Sequence, residues 1–512
     1  MLMRFAATVG SFTMLSRILG FVRDIMIASF LGASSTGDAF FIAFKFPNLF
    51  RRLFSEGAFS LAFVPLFAEK LESDGRRAAR FFAEDALAIL LWVLLIIVVV
   101  AQVLMPWLIL LIAPGFADDP AKLDLTVYLA RLTFPYLLFI SIVSLLGGVL
   151  NSLERFAAAA AAPILLNLCL IGSLLTAAKV METPAHSLAW GVALAGVIQF
   201  LWLVWNCKRA AMLPSLPFPR ITPEIKKLLA LMLPAALGAG VMQLNLVVDM
   251  IIASFLQDGS VSHLYYADRL VQLPLGVIGV AIGTALLPTL ARQVVSKETD
   301  TALHSQNRAI EYALLFTLPA AAAFMVIGGQ IIHVLFERGA FDAAATGIVT
   351  GVLFAYAVGL PAFVLVKVLA PAYFARQNPR VPLRAAVFAL LVNVILNLAL
   401  MKPFGVVGIA TASVIASWVN VFLLTKGLVG DGYFRPDRLL LRRLPRMLIA
   451  CVVMALVLLV ISDSLSHLFD SSLLPKTLAL LGLVFVGMVS FALVAGAVGA
   501  TRWQELQGIL RR

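Results

Sequence analysis

Four charged side chains lie within one otherwise apolar stretch of the chain, FKFPNLFRRLFSEGAFS at residues 44–60. They are Lys45, the adjacent Arg51 and Arg52, and Glu56. In a helix, spacings of seven and four residues place Lys45, Arg52 and Glu56 on one face. A guanidinium stays charged when it is buried and bonds two oxygens of a phosphate or carboxylate at once. The stretch therefore indicates a binding surface for an anion.

Charges of the same kind occur in other apolar segments. Arg17 and Arg23 lie within the first apolar segment, and Asp38 opens the second. In the second half of the chain, YYADRLVQLP brings Asp268 and Arg269 into a comparable position. A charge at the centre of a bilayer costs at least about 2.5–3.5 kcal/mol, so these side chains are expected to face a water-filled or protein-lined interior. A pyrophosphate suits such a cationic interior.

A purely structural role is the alternative for the oppositely charged neighbours. These are Arg23 with Asp24, Arg52 with Glu56, and Arg269 with Asp268. Each pair is able to neutralise itself inside the protein without any ligand. Arg17, Lys45 and Arg51 have no acidic residue within one helical turn along the sequence. This excess of positive charge favours an anionic substrate.

The composition shows which elements must carry these charges. Of 512 residues, 62% are hydrophobic and 13% are charged, and the mean hydropathy is +1.01. Soluble domains average about 25% charged residues. Runs such as residues 86–104 and 447–461 contain no charge at all. Because about 20 apolar residues cross the hydrocarbon as a helix that satisfies its own backbone, the predicted fold class is an all-α, polytopic membrane protein.

Hydropathy and turn residues predict about fourteen transmembrane helices, among them helices at 381–401 and 406–429. With the N-terminus in the cytoplasm, about 26 of the 39 Lys and Arg residues fall on the cytoplasmic side and about five on the other. Both termini are therefore predicted to be cytoplasmic, in a multi-pass protein of the cytoplasmic (inner) membrane. Topology and contact with anionic membrane lipids explain the net charge of +12, so nucleic acid is not an expected partner.

The chain contains an internal repeat. RDIMIASFLG at residues 23–32 recurs as VDMIIASFLQ at residues 248–257, an offset of about 225 residues. Each half holds an even number of helices, about six, so the halves have the same orientation and form parallel lobes. The prediction is an N-terminal lobe at 1–210, a C-terminal lobe at 211–432, and two further helices at 433–512.

A second group of polar residues lies in the C-terminal half. Asp249, Asn393, Asn397 and Thr411 offer carboxylate, amide and hydroxyl oxygens, which are hard ligands suited to a small cation such as sodium. Hydrogen bonding between helices is the alternative, and the sequence alone favours it.

Several motifs together resemble one known family. They are FTMLSRILGFVRD at 12–24, GDAFFIAFKFPNLFRRLFSEGAFSLAFVP at 37–65, APGF at 113–116, YYADRL at 265–270 and VKVLAP at 366–371. In these motifs the chain resembles the MurJ (MviN) lipid II flippases of the multidrug, oligosaccharidyl-lipid and polysaccharide exporter superfamily. The likeness extends over the whole chain, and the long block at 37–65 is its most specific part.

The resemblance implies a function and roles for the charges. Lipid II, the undecaprenyl-pyrophosphate-linked disaccharide pentapeptide, would move from the inner to the outer leaflet for peptidoglycan synthesis, with its lipid tail in a groove formed by the helices at 433–512. The implied roles are pyrophosphate binding for Arg17, Arg23 and Arg269, and gating or cavity electrostatics for Asp38, Arg51, Arg52 and Glu56, with Asp268 as a neighbour.

In some relatives a sodium site is formed by residues that Asp249, Asn393, Asn397 and Thr411 resemble. Here positions 393 and 397 are both asparagines, whereas the sodium-binding pattern has a second carboxylate. Sodium is therefore only a possible coupling ion, and no other cofactor is expected.

Three other functions would make different demands on the sequence. A flippase for another isoprenoid-linked glycan would need the same cationic cavity. A multidrug or cation antiporter would need an acidic, aromatic cavity instead. An enzyme is not expected, because the five histidines are scattered, no acid–base pair is evident, and no GxxxxGK[ST] loop for ATP is present.

Overall fold

The computed structural model of the chain describes residues 2–51 and 59–501. Within these ranges every regular element is a helix. The chain divides into two compact units, Met1–Ser262 and His263–Arg512. The all-α, multi-pass fold is confirmed, whereas the lobe boundaries at 210 and 432 stay a prediction.

The first unit contains ten of these elements and the start of another. They are α1 (Leu2–Leu31), α2 (Ser35–Arg51), α3 (Ser60–Ser73), α4 (Gly75–Ile112), a 3₁₀ helix (Pro114–Asp118), α5 (Pro120–Thr133), α6 (Tyr136–Ser152), α7 (Phe156–Thr176), α8 (Pro184–Arg209), α9 (Pro223–Ala253) and the first residues of α10 (Ser260–Pro274).

The second unit continues α10. It then contains a π-helical segment (Leu275–Gly279), α11 (Val280–Val295), α12 (Thr299–Leu335), α13 (Ala343–Phe374), α14 (Arg380–Gly430), α15 (Arg438–Ser464), α16 (Ser466–Phe469) and α17 (Leu473–Ala497).

Ten helical stretches in the described part of the chain are long and apolar enough to cross a membrane. The predicted number of about fourteen is not confirmed by this count. One reason lies in α14, whose 51 residues would extend about 75 Å at 1.5 Å per residue, against a hydrocarbon core of about 30 Å.

Helix α14 turns sharply near its middle. Gly405 has φ 54° and ψ −134°, a conformation that side chains rarely adopt. A Cβ on Gly408 would lie 2.3 Å from the carbonyl oxygen of Leu400, so the chain after the turn passes against the chain before it. The two halves of α14 are therefore separate helices, as the predicted helices at 381–401 and 406–429 required.

The outward faces of several helices are apolar. On α4, Trp107 and Val103 are 72% and 71% exposed, and on α17, Leu474 and Leu493 are 71% and 69% exposed. Large exposed apolar surfaces are rare on soluble monomers. These faces are suited to lipid tails.

Three aspartates define where helices begin. The side chain of Asp119 accepts a hydrogen bond from the Lys122 amide at the start of α5, and Asp342 and Asp437 accept equivalent bonds at the starts of α13 and α15. Such a cap satisfies one of the amide groups that a helix leaves without a partner and contributes about 1 kcal/mol.

A buried ion cluster joins α12 to α15 within the second unit. Arg308 and Arg443 both donate to the carboxylate of Glu311, and Arg308 also donates to Asp437 at 2.6 Å. The side chains of Glu311 and Arg443 are 1% and 4% exposed. Because ions this deeply buried need close partners, the cluster attaches the C-terminal helix pair to α12.

We predict that Glu311→Gln lowers the unfolding temperature in detergent. The substitution keeps the shape of the side chain but leaves two arginines without their shared anion, and breaking a buried pair costs about 3–5 kcal/mol. The exposed neighbour Arg442 provides the control, because Arg442→Ala removes a charge from the same helix outside the cluster. A shift no larger than that of Arg442→Ala would contradict the prediction.

Candidate functional site

A proline within α2 precedes the first arginine of the site by four residues. Pro47 has no amide hydrogen, so the carbonyl of Ala43 lacks its usual partner within the helix. The hydroxyl of Thr133 donates to this carbonyl at 2.8 Å. The helix thus continues past a proline because a side chain from α5 supplies the missing donor.

One turn later the same helix orients Arg51. The amide of Asn48 donates to the Phe44 carbonyl at 2.8 Å, and its Oδ1 accepts from Arg51 Nε at 3.0 Å. Arg51 is the last residue of α2 and is half-buried. Asn48 therefore orients the Arg51 guanidinium. Arg52 and Glu56 lie outside the described residues.

Arg23 lies on α1 and is 7% exposed. Its Nε and Nη2 donate to Asp24 Oδ1 at 3.0 and 2.7 Å, and its Nη1 donates to Asn167 Oδ1 at 2.8 Å. The Asn167 amide in turn donates to the Ser16 carbonyl at 2.9 Å. The ion pair considered for Arg23 and Asp24 is thus present, and Asn167 on α7 adds a second fixed partner.

The sequence pattern did not assign a role to Asn167. The signal that points to it is a single amide within the apolar helix FAAAAAAPILLNLCLIGSLLT. In hydrocarbon such a side chain needs a partner on a neighbouring helix.

Asp38 is 1% exposed and lies in the first turn of α2. Its carboxylate accepts from the amides of Gly259 and Ser262, both at 2.8 Å, and from the Ser262 hydroxyl at 2.7 Å. Lys122 Nζ donates to the same carboxylate at 3.2 Å. A carboxylate at the start of α10 also matches the positive end of that helix dipole.

The other predicted charges lie further from these contacts along the chain. Arg17 is exposed on α1. In the second unit, the guanidinium of Arg269 lies 4.5 Å from the centre of the Tyr265 ring, and Asp268 accepts from Gln272 at 3.2 Å. The ring holds the arginine by a cation–π contact.

The asparagines of the predicted sodium site are fully buried in α14. Asn393 donates to the Ser413 hydroxyl at 3.0 Å, and its Oδ1 accepts from Asn397 at 2.9 Å. The Thr411 hydroxyl donates to the Val407 carbonyl at 2.8 Å, within its own helix. The bond from Asn393 to Ser413 is of the kind expected for polar side chains that link neighbouring helices.

Within residues 2–51 and 59–501, no group of three His, Cys, Asp or Glu side chains is placed to hold a metal ion. Asp249 lies on α9 in the first unit and is half-buried. Sodium coupling stays a prediction.

We predict that Asn167→Leu destabilises the protein. One N–H of the buried Arg23 guanidinium would lose its acceptor, which costs about 1–3 kcal/mol. Unfolding in detergent measures the effect. Asn167→Asp, which keeps an acceptor, should lose less, and Leu168→Ala, an exposed neighbour on α7, serves as the control. If Asn167→Leu is as stable as Leu168→Ala, the bond to Arg23 has no structural importance.

Comparisons with known proteins agree with the motifs. The protein-family model described as "Lipid II flippase MurJ" matches residues 27–480. A probable lipid II flippase MurJ from Rhizobium meliloti (strain 1021) is 44% identical over 513 aligned positions, covering 99% of this chain and 96% of the relative. The corresponding protein from Rickettsia prowazekii (strain Madrid E) is 37% identical and covers 94% of each chain.

Solved structures show the same architecture. A lipid II flippase MurJ in an inward closed conformation superposes with a TM-score of 0.77 at 25% identity, covering 96% of this chain and 98% of that one. An inward-facing multidrug resistance transporter of the MATE family, in the MOP superfamily, gives a TM-score of 0.69 at 14% identity, covering 84% and 98%. The second likeness concerns the fold alone.

Proposed function

The chain belongs to the lipid II flippase MurJ family, and on this premise we propose that it moves lipid II from the inner to the outer leaflet of the cytoplasmic membrane for peptidoglycan synthesis. It is a transporter and not a catalyst. The observation that carries the proposal is the family match over residues 27–480, which includes the whole charged segment at 37–65. Alternating access is the mechanism proposed for this movement, as in transporters built from two lobes.

The headgroup is held by arginines in this proposal. Arg17, Arg23 and Arg269 bind the pyrophosphate, because guanidinium groups replace the water around phosphate oxygens with charge-assisted hydrogen bonds. The bonds from Arg23 to Asp24 and Asn167 use three of the five N–H donors of a guanidinium and fix its plane. A fixed plane lowers the entropy lost when a ligand binds.

The remaining charges control the cavity. Arg51, Arg52 and Glu56 set its electrostatic potential, and Asp38 acts in gating. The observation that supports gating is that one buried carboxylate holds the start of α10 through three donors.

The termini and the lipid-tail groove are assigned in the same proposal. Both termini are cytoplasmic, and the pair α15 and α17 forms the groove for the lipid tail.

The membrane potential is the proposed energy source. Moving one charge through 100 mV is worth about 2.3 kcal/mol, so the membrane potential is able to act on the positive charge of the cavity.

The deciding experiment measures lipid II at the outer surface of cells that depend on this protein. A toxin that cleaves the lipid II headgroup is added outside the cells before and after the protein is inactivated. Lipid II should become protected from cleavage after inactivation. Unchanged cleavage would overturn the assignment and favour another isoprenoid-linked glycan as the substrate.

We predict that Arg17→Ala and Arg269→Ala each abolish growth of a strain depleted of its own flippase, at normal abundance in the membrane. Each substitution removes a charged partner of the pyrophosphate. Arg76→Ala, which removes an exposed arginine at the start of α4, is the matched control and should support growth. Full growth with either cavity variant would remove that arginine from the binding role.

We also predict that Asp249→Ala changes the sodium dependence of transport more than the affinity for the headgroup. Asp249 is the carboxylate of the predicted cation site, and its loss would remove the charge that attracts a cation. Transport in sodium and in choline buffers measures the effect. Transport by the unaltered protein that does not depend on sodium would remove the reason for the prediction.

A further inference from the structure

Lys122 is a buried cation that the proposed headgroup site does not use. Its side chain is 5% exposed, and it lies in the first turn of α5. Its ammonium donates to Asp38 at 3.2 Å and to Asp258 at 2.7 Å. Lys122 therefore joins α5 to two carboxylates. One is Asp38, which accepts hydrogen bonds from the start of α10, and the other is Asp258, two residues before that helix.

The position of Lys122 within its own helix is unfavourable. A cation in the first turn of a helix lies at the positive end of the dipole. The two carboxylates compensate for this, and they come from other segments of the chain. The cation is thus placed to suit Asp38 and Asp258 and not to stabilise α5.

The APGF motif at residues 113–116 supports this ammonium. Phe116 is 2% exposed, and Lys122 Nζ lies 4.2 Å from the centre of its ring, which is a cation–π contact. The aromatic face stabilises the ammonium without offering it another hydrogen-bond acceptor.

The glycine of the same motif joins the segment that contains Phe116 to the end of α9. The Gly115 amide donates to the Ser254 hydroxyl at 3.0 Å. A Cβ on Gly115 would lie 2.2 Å from the Ser254 carbonyl oxygen, so no other residue allows so close an approach. The motif thus links the 3₁₀ helix, Lys122 and the residues 254–262 in one rigid arrangement.

We propose that Lys122 is a positioning residue of the transport cycle: its ammonium, supported by Phe116, keeps Asp38 bonded to the start of α10 and so holds residues 254–262 against α2 and α5 at the end of the first unit where these two helices begin. The charge count places this end on the outer side of the membrane. Release of the Lys122 bonds accompanies opening of that end. The inference rests on the proposed function, because opening matters only to a transporter.

The geometry explains why the bond is reversible. Asp258 is 60% exposed, so water already reaches one partner of Lys122, while Asp38 is 2% exposed. When the end opens, water is able to replace the partners of all three groups, and no charge is left buried without compensation. In a permanent structural ion cluster, both carboxylates would be expected to be buried.

The test measures access to the closed end from outside the cell. Cys169, Cys207 and Cys451 are replaced by serine or alanine, and Ser260→Cys, at a position 5% exposed beside the cluster, is the reporter. A membrane-impermeant maleimide is added to intact spheroplasts. A second reporter, Ser471→Cys in the exposed connection before α17, controls for reagent and abundance.

We predict that Lys122→Met increases labelling at position 260 about tenfold, which corresponds to about 1.4 kcal/mol in the equilibrium between closed and open states. Lys122→Arg, which keeps the charge, should restore slow labelling. Labelling at position 471 should not change in either variant. A Lys122→Met protein that unfolds at lower temperature but labels as slowly as the parent would show a structural role only and overturn the proposal.

If Lys122→Met does not accumulate in the membrane, Asp258→Asn decides the question. This substitution changes an exposed side chain and weakens one of the two bonds to Lys122. It should increase labelling by a smaller factor than expected for Lys122→Met, and unchanged labelling would overturn the proposal. Because labelling does not depend on lipid II, a failed toxin assay with a normal labelling result would remove the substrate assignment and leave the positioning role in place.

Discussion

The hydrocarbon core of a bilayer offers no water to a charge, and the arrangement of this protein follows from that constraint. At three places where the described chain buries an ion, a partner comes from a neighbouring segment. Arg23 has Asp24 and Asn167, Asp38 has Lys122 and the start of α10, and Glu311 has two arginines. The polar contacts are therefore also the contacts that fix which helices are neighbours.

The three ion clusters differ in how much water reaches them, and this difference suits different tasks. The cluster around Glu311 is almost fully buried and includes two arginines, as expected for a permanent attachment of α15 to α12. The cluster around Lys122 includes an exposed carboxylate, which makes it easier to hydrate. Arg23 is held by a carboxylate and an amide, so its plane is fixed while part of its hydrogen-bonding capacity remains for a ligand.

The fold is shared more widely than the function. A multidrug transporter that is 14% identical has the same architecture over 84% of this chain, although it has little of the sequence. A shared fold is able to carry different functions, because function depends on the side chains at particular sites. The arginines of α1 and α2 and the APGF support of Lys122 are candidates for such sites, because none of them is required to form a helix.

The sequence by itself determined that the chain lies in a lipid bilayer, and it determined the fold class and the family. Composition and apolar runs report directly on the bilayer, because hydrophobicity needs no knowledge of neighbours. The motif block at 37–65 identified the family, and the turn between the predicted helices at 381–401 and 406–429 is present at Gly405. The charged residues were recognised because a charge in an apolar run is costly wherever it lies.

Only the tertiary structure decided which partners those charges have. Asn167 and Lys122 are 144 and 84 residues from the side chains they bind, and hydropathy carries no information about contacts at such distances. Thr133 replaces the hydrogen bond that Pro47 removes, which no pattern within α2 reveals. Asn393 and Asn397 were predicted as ligands from residue type alone, and the bond from Asn393 to Ser413 forms across the turn of the chain at Gly405. A residue type shows what a side chain is able to bind, whereas packing decides which group it meets.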